Sequence, residues 1–586
     1  MDNLNTSPLA EEFQTDLSRW RLVGEEGRHV WEYIDDDAQL LERPQSFIEK
    51  YWVGLPFESQ ILKTPKNSRE AASNGFKFFK RLQVSDGHWA GAYDGPMFIT
   101  GGLVFSDYIC NIPISEPRKK EFIRYLLNKA NPQDGGWGLH FEGKSTVFGT
   151  AINYVTLRIL GLDPDHPAMV KARNTLHKLG SAVAIPSWGK FWLCALGVYE
   201  WEGLAPLLPE PWLLPQFVWL FPAPVNFAIN KLVMFYEHGP ESKWFKGMVN
   251  RNQDAIWLCR EGLAGTGTNG SQLWDTSFAV QAVVESGLLN EDGNLESMQK
   301  ALDFIKVSQI KENPRDIGRC YRQPTLGAWP FSTRDQGYTV SDTTSEGLRA
   351  TLLLQNSAGI KPLISKEMLC NAVDVILTMQ NKCGGFASYE KIRAPLQLEM
   401  LNASEVFGNI MTEFAYPECT TSVVLGLSMF KKTYPEYRSH EIDETIKDSI
   451  KYIFDSQKQD GSCLASVNYF YNNCEQVAKA CEFLISHQNE DGGWGESFRS
   501  CELNTYVDHP DGSQVVNTSF ALLALMAANY PDKEPLIMDR QQPNGEWLQE
   551  GIEGVFNKNC MIAYPNYKFI FTIWALGKYS LVYPEN

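Results

Sequence analysis

The chain has 586 residues with 44% hydrophobic content, more than one simple core holds, so two large domains are expected. A formal charge of −17 excludes nucleic acid as the partner, because a phosphate backbone selects positive surfaces. Aromatic residues make up 12% of the chain, with 17 Trp, which points to pockets walled by π faces. The 12 Cys form no CxxC pair and read as reduced thiols, and the nine His show no HxH or HExxH spacing, so no metal and no cofactor is expected. The N-terminus lacks a basic or apolar leader and no window reaches the length of a spanning helix, which places the expected protein on the cytosolic side.

Residues 1–68 are polar and acidic, with Trp20, Trp31, Tyr51 and Trp52 too widely spaced for one helix, and they read as an arm laid on a larger body. From residue 69 a unit repeats: an amphipathic helix, a Gln, then a Gly-rich turn ending in an aromatic residue. Six copies stand at Gln83–Trp89, Gln133–Trp137, Gln380–Phe386, Gln457–Cys463, Gln488–Trp494 and Gln541–Trp547, the fourth ending in Cys instead of an aromatic residue. Asp-Gly and Asn-Gly permit the positive φ of a tight turn after a helix, and the ring then covers the end of the neighbouring helix. The unit is a fastener between successive helices, and the expected fold is all-α, built of α/α-barrels.

Val340–Leu348, V-S-D-T-T-S-E-G-L, sets the carboxyl of Asp342 at the mouth of an apolar helical run. Burial disfavours the ionised form, so an acid here holds its proton until it gives it away. Thr343-x-x-Glu346 also reads as a capping box for that helix. Asp342 and Glu346 are four residues apart and share a helical face, which allows the second to return a proton to the first.

These repeats resemble the QW motifs of triterpene cyclases, and Asp342-Thr-Thr-Ser-Glu346 resembles the acid motif of the oxidosqualene cyclases. Phe141–Thr150, Ile185–Trp192, Asn269–Thr276 and Gly554–Cys560 also read like that family, so the likeness runs from near Trp20 to Pro584. It implies an arm over 1–68, a first α/α-barrel over 69–260 shortened after about 222, and a second over 261–586 that carries the acid, with the two ends of the chain sharing one barrel. It further implies an isomerase: 2,3-oxidosqualene folded in a dry cavity, its epoxide protonated by Asp342, and the cation carried along aromatic faces. By the same resemblance Cys419 is expected to donate to the acid, Thr343 stands where the family usually has a second Cys, Glu346 is expected to reprotonate, and Tyr389 to share the final deprotonation. The resemblance also implies that Tyr93, Trp274, Phe331, Phe556 and Tyr564 bind substrate. Squalene-type cyclases carry Asp-x-Asp-Asp here, so the single Asp342 favours the epoxide. Gly554–Tyr564 looks like the lanosterol-forming version, with a protostadienol-type skeleton second.

Two segments of the family are missing, one after Pro215 that bears a cavity His and one near Cys463, and both losses fall on expected chamber walls. The expectation is an open chamber with low or absent turnover. Residues 206–227, with Trp212, Phe217, Trp219 and Phe221 among prolines, read as a monotopic plug on a membrane surface, at the endoplasmic reticulum or a lipid droplet. The composition leaves oligomeric state open. Three other readings compete: an inverting glycosidase, which needs a carboxylate pair; a zinc prenyltransferase subunit, which needs an Asp/Cys/His set; and a shortened, non-catalytic cyclase homologue.

Overall fold

A computed structural model describes residues 7–204, 226–266, 270–291, 293–320, 322–402, 408–462, 473–530, 540–556 and 560–584, the side chains of 226, 319, 320, 401 and 556 apart. The expected plug at 206–227 therefore lies almost wholly outside the described residues, as do the side chain of Phe556 and residues 557–559.

The described residues are mostly helical, with four small two-stranded antiparallel sheets. Helix Pro417–Thr433 packs on Ser341–Gln355, which packs on Gln272–Glu285, then Tyr567–Val582, then Val515–Ala527. These are the inner helices of a ring. Outside them lie Asn294–Ser308, Lys366–Met379, Ser439–Ser456, Glu475–Ser486 and Ser68–Lys80. The last of these, Ser68–Lys80, packs on Tyr567–Val582, so the N-terminal part of the chain joins the ring formed by the C-terminal part. Gly75 makes the approach possible: a Cβ there would stand 2.4 Å from the ring of Trp547.

The repeated motif explains the outer layer. In four of the six motifs the Gln amide donates both to a Gly carbonyl in its own turn and to a backbone carbonyl of the next outer helix, while Gln488 donates to Gly492 O alone. Gln83 donates to Gly87 and Ser297, Gln380 to Gly384 and Thr445, Gln457 to Gly461 and Gln476, and Gln541 to Gly545 and Ala71. The fasteners thus join successive outer helices and skip the inner ones between them. The indole donates backward, Trp89 to Phe79 O at 2.9 Å and Trp494 to Leu484 O at 2.7 Å, tying each turn to the helix it follows. Gly87 is required twice over, by its φ of +102° and because a Cβ would fall 2.0 Å from Lys300 O. A seventh fastener escapes the sequence reading: Gln309 donates to Gly327 and Met368, and Trp329 to Ile305 O, with a loop separating Gln from Gly.

Among the described residues, no inner helix stands between the outer helices Ser439–Ser456 and Glu475–Ser486. An apolar cavity of about 290 Å³ occupies that side, lined by Val477, Ala480, Cys481, Ala521 and Ala524.

The N-terminal arm is not only irregular chain. Trp20–Glu25 pairs with Arg28–Tyr33 across a turn at Glu26 and Gly27, both at positive φ, and buries Trp20 and Trp31 completely. Thr15 on Glu121 and Arg28 on Asp254 fasten it to the body.

Candidate active site

Helix Ser341–Gln355 starts at Val340 without a side-chain cap, so the capping-box reading fails: Thr343 is already inside the first turn. The helix is seated instead by Ser341, whose N–H donates to Ser388 O at 2.8 Å and whose hydroxyl donates to Ala387 O at 2.5 Å. Phe386–Ala387 pairs with Ala415–Tyr416, and the chain passes directly from Tyr416 into helix Pro417–Thr433. Two helix N-termini and a short strand pair therefore meet at one point.

There Asp342 Oδ2 accepts from the Cys419 thiol at 3.3 Å, and Oδ1 accepts from the Thr343 N–H at 2.7 Å and the Thr343 hydroxyl at 3.3 Å. The Ser388 hydroxyl lies 3.7 Å from Cys419 Sγ on its other side. Asp342 is half-buried and lines a cavity of about 290 Å³. Burial pushes its pKa up to about 6, the Cys419 and Thr343 donors pull it back, and the Glu346 charge adds to the rise. Two helix N-termini aimed at the group also favour the carboxylate left after proton transfer.

Glu346 is buried one turn along the same face, accepting from Gln281 Nε2 at 2.6 Å. Burial raises its pKa, while Arg349, Gln281 and Ser422 oppose the rise.

The same cavity is lined by Tyr93, Trp274, Phe331, Tyr389 and Tyr564, five of the residues picked from the sequence, together with Ile99, Val340, Val555 and Ile562. Phe331 stands 5.3 Å from Tyr93 and 5.6 Å from Trp274, ring centre to ring centre, and Tyr93 stands 5.3 Å from Tyr564. Trp274 is held by its Nε1–H on the Tyr567 hydroxyl at 2.6 Å. The chamber is thus a set of aromatic faces with the acid at one end. Exposed Glu418 lines it as well and marks its opening.

Sequence reasoning missed Ser388 and Glu413. Glu413 is pushed up to about 8 by burial, against the N–H donors of Phe414 and Ser388, and it contributes to the rise of the Tyr389 pKa. Nothing in the residue order marks it, because it reaches the acid only through the strand pair.

A carboxyl whose pKa burial raises, set in an aromatic chamber inside an α/α ring, defines an acid-initiated cyclase. The squalene-hopene cyclase N-terminal domain family matches residues 73–228, and the squalene-hopene cyclase C-terminal domain family matches residues 270–581. The chain is 43% identical to a lanosterol synthase of Pneumocystis carinii, over 97% of this chain and 98% of that protein. It is 43% identical to a protostadienol synthase A of Aspergillus fumigatus, over 98% and 96%, and 39% identical to the lanosterol synthase of Mus musculus, over 99% and 98%. The chain belongs to the triterpene cyclases, in the oxidosqualene cyclase group. The Pneumocystis alignment spans 705 positions against 586 residues here, so that relative carries segments with no counterpart in this chain.

Proposed function

We propose that the protein cyclises (S)-2,3-oxidosqualene to a tetracyclic sterol-type triterpene, lanosterol in first place and a protostadienol-type skeleton in second. The observation that carries this is the Asp342 carboxyl, its pKa raised by burial to about 6, held by Cys419 in an aromatic cavity. Asp342 gives its proton to the epoxide oxygen, the C–O bond opens, and the alkenes close in turn on the cation. Cys419 and the Thr343 N–H and hydroxyl stabilise the carboxylate left behind. Trp274, Phe331, Tyr93, Tyr564 and, from its place in the sequence, Phe556 face the migrating charge with π density and no strong lone pair. A proton lost from the last cation ends the reaction beside Tyr389, and Glu346 returns a proton to Asp342.

The substrate is a lipid, and the protein docks on a membrane surface of the endoplasmic reticulum or a lipid droplet. Val198 and Trp201 before the Trp- and Pro-rich residues 206–227 in the sequence, and Val233, Tyr236 and Trp244 after them, are exposed apolar side chains. No helix among the described residues is long and apolar enough to cross a membrane.

Incubation of the purified protein with (S)-2,3-oxidosqualene, followed by product analysis, tests the reaction. A second reading, a non-catalytic homologue, is favoured by the segments of the relatives that have no counterpart here. Failure to consume the substrate would select it.

A further inference from the structure

Asp275 follows the cavity residue Trp274 and is 1% exposed. Its Oδ2 accepts from Asn566 Nδ2 at 2.8 Å and from the Ser271 hydroxyl at 2.9 Å, whereas its Oδ1 is buried with no partner. Asn566 is fully buried as well, and its amide also donates to Ala90 O at 3.4 Å, which turns the nitrogen toward Asp275. Its own Oδ1 is again buried with no partner. Two side chains already joined by one hydrogen bond each keep an orphaned oxygen. Two acceptors cannot satisfy one another, but a proton on Asp275 Oδ1 turns one of them into a donor, and an acid and an amide already joined by one hydrogen bond then have the complementary groups for a second, reciprocal one.

We infer that Asp275 is kept as a neutral carboxylic acid, paired reciprocally with Asn566, and that this pair is a positioning device for the aromatic wall of the cavity. The neighbouring residues make the second cross-link: Trp274 Nε1–H on the Tyr567 hydroxyl at 2.6 Å, with Tyr567 stacked on the cavity residue Tyr564 at 4.5 Å. Positions 274 and 275 of one inner helix are thus tied to 567 and 566 at the start of another.

The electrostatic surroundings agree. Burial lifts Asp275 to about 7 against the Asn566 and Ser271 donors. The ionisable groups that sense it are the phenols of Tyr564 and Tyr567, both raised well above the usual range by burial, and Glu553 faces Tyr567 in turn. Lys568, two residues after Asn566, is turned to Glu546 at 3.4 Å. Among the described residues no cation acts on Asp275, so a carboxylate there would go uncompensated and would leave the Asn566 oxygen orphaned.

The test compares Asp275→Asn and Asp275→Leu with the parent in the full-length protein. An amide at 275 can both accept from and donate to Asn566, so Asp275→Asn keeps the ring and removes the titration. The thermal midpoint of the parent should fall relative to that of Asp275→Asn as pH rises from about 4 to about 7, and the difference should be constant above 7. Asp275→Leu should be less stable than Asp275→Asn at every pH. At pH 6 the parent-minus-Asn infrared difference should show the C=O stretch of a neutral acid. A parent-minus-Asn difference that is flat from pH 4 to 7, or a carboxylate band at pH 6, overturns the inference, as does Asp275→Asn matching the Leu variant. If the cyclisation itself fails, these stability and infrared measurements still decide this point, since neither uses substrate.

Discussion

The Cys419 thiol donates to Asp342 Oδ2 at 3.3 Å across 77 residues of chain, and it reaches the acid because two inner helices begin side by side. A donor stabilises the carboxylate more than the acid, so it strengthens the acid that burial has weakened.

Replacing Cys419 by Ala removes that donor, so Asp342 should titrate at higher pH and give up its proton less readily. A hydrogen bond to a charged group is worth about 1.5–3 kcal/mol, so turnover should fall by roughly 10- to 150-fold. Steady-state rates over a pH series check both effects, and an unchanged rate with an unchanged alkaline limb refutes the role.

Asp342→Asn should keep the fold and remove cyclisation, because an amide is not a general acid. The loss should reach at least about 10²–10⁴-fold, the usual worth of a positioned proton donor. Circular dichroism checks the fold, and epoxide consumption at the parent rate would show that another group supplies the proton.

The raised pKa of Asp342 also fixes a direction for stability. Between the ordinary aspartate value of 3.8 and about 6 the folded protein holds a proton that the unfolded chain has released. That contribution is complete below pH 3.8, is lost as pH rises through about 6, and is flat above. Asp342→Asn should therefore gain stability relative to the parent across this window, read from thermal midpoints. A difference that ran the opposite way would mean the carboxylate is the favoured folded form.

Gly87→Ala should destabilise by more than about 1 kcal/mol, since it meets both a positive φ and a backbone carbonyl 2.0 Å from the new Cβ. Denaturant midpoints measure it, and a shift no larger than that of an exposed helical Gly→Ala change elsewhere would remove the fastener turn from the argument.

The exposed apolar side chains Trp201, Tyr236 and Trp244 should carry membrane docking. Changing all three to Ser should lower co-sedimentation with neutral phospholipid vesicles. High salt should not, because with a net charge of −17 electrostatic attraction is not expected to supply the binding. Release by salt alone would assign docking to charge.

What residue order determined here is whatever acts over a few positions. The Gln-to-Gly bond of a fastener spans four residues, so the motif, its turn and the helix before it are legible as a pattern. The same holds for Asp342 with Thr343 and for the apolar run behind them. Partners across the chain were decided by packing: Gln83 on Ser297, Ser388 beside Cys419, and Asp275 against Asn566. The hairpin at Trp20–Tyr33, the seventh fastener at Gln309–Trp329 and the closing role of Ser68–Lys80 belong with these. A hydrogen bond within a turn needs only local dihedrals. A bond between helices needs their relative position, which many weak apolar contacts set together and no single residue encodes. For the same reason the acid could be named from nine consecutive residues, while the protonation of Asp275 follows only from two buried oxygens found without partners on side chains 291 residues apart.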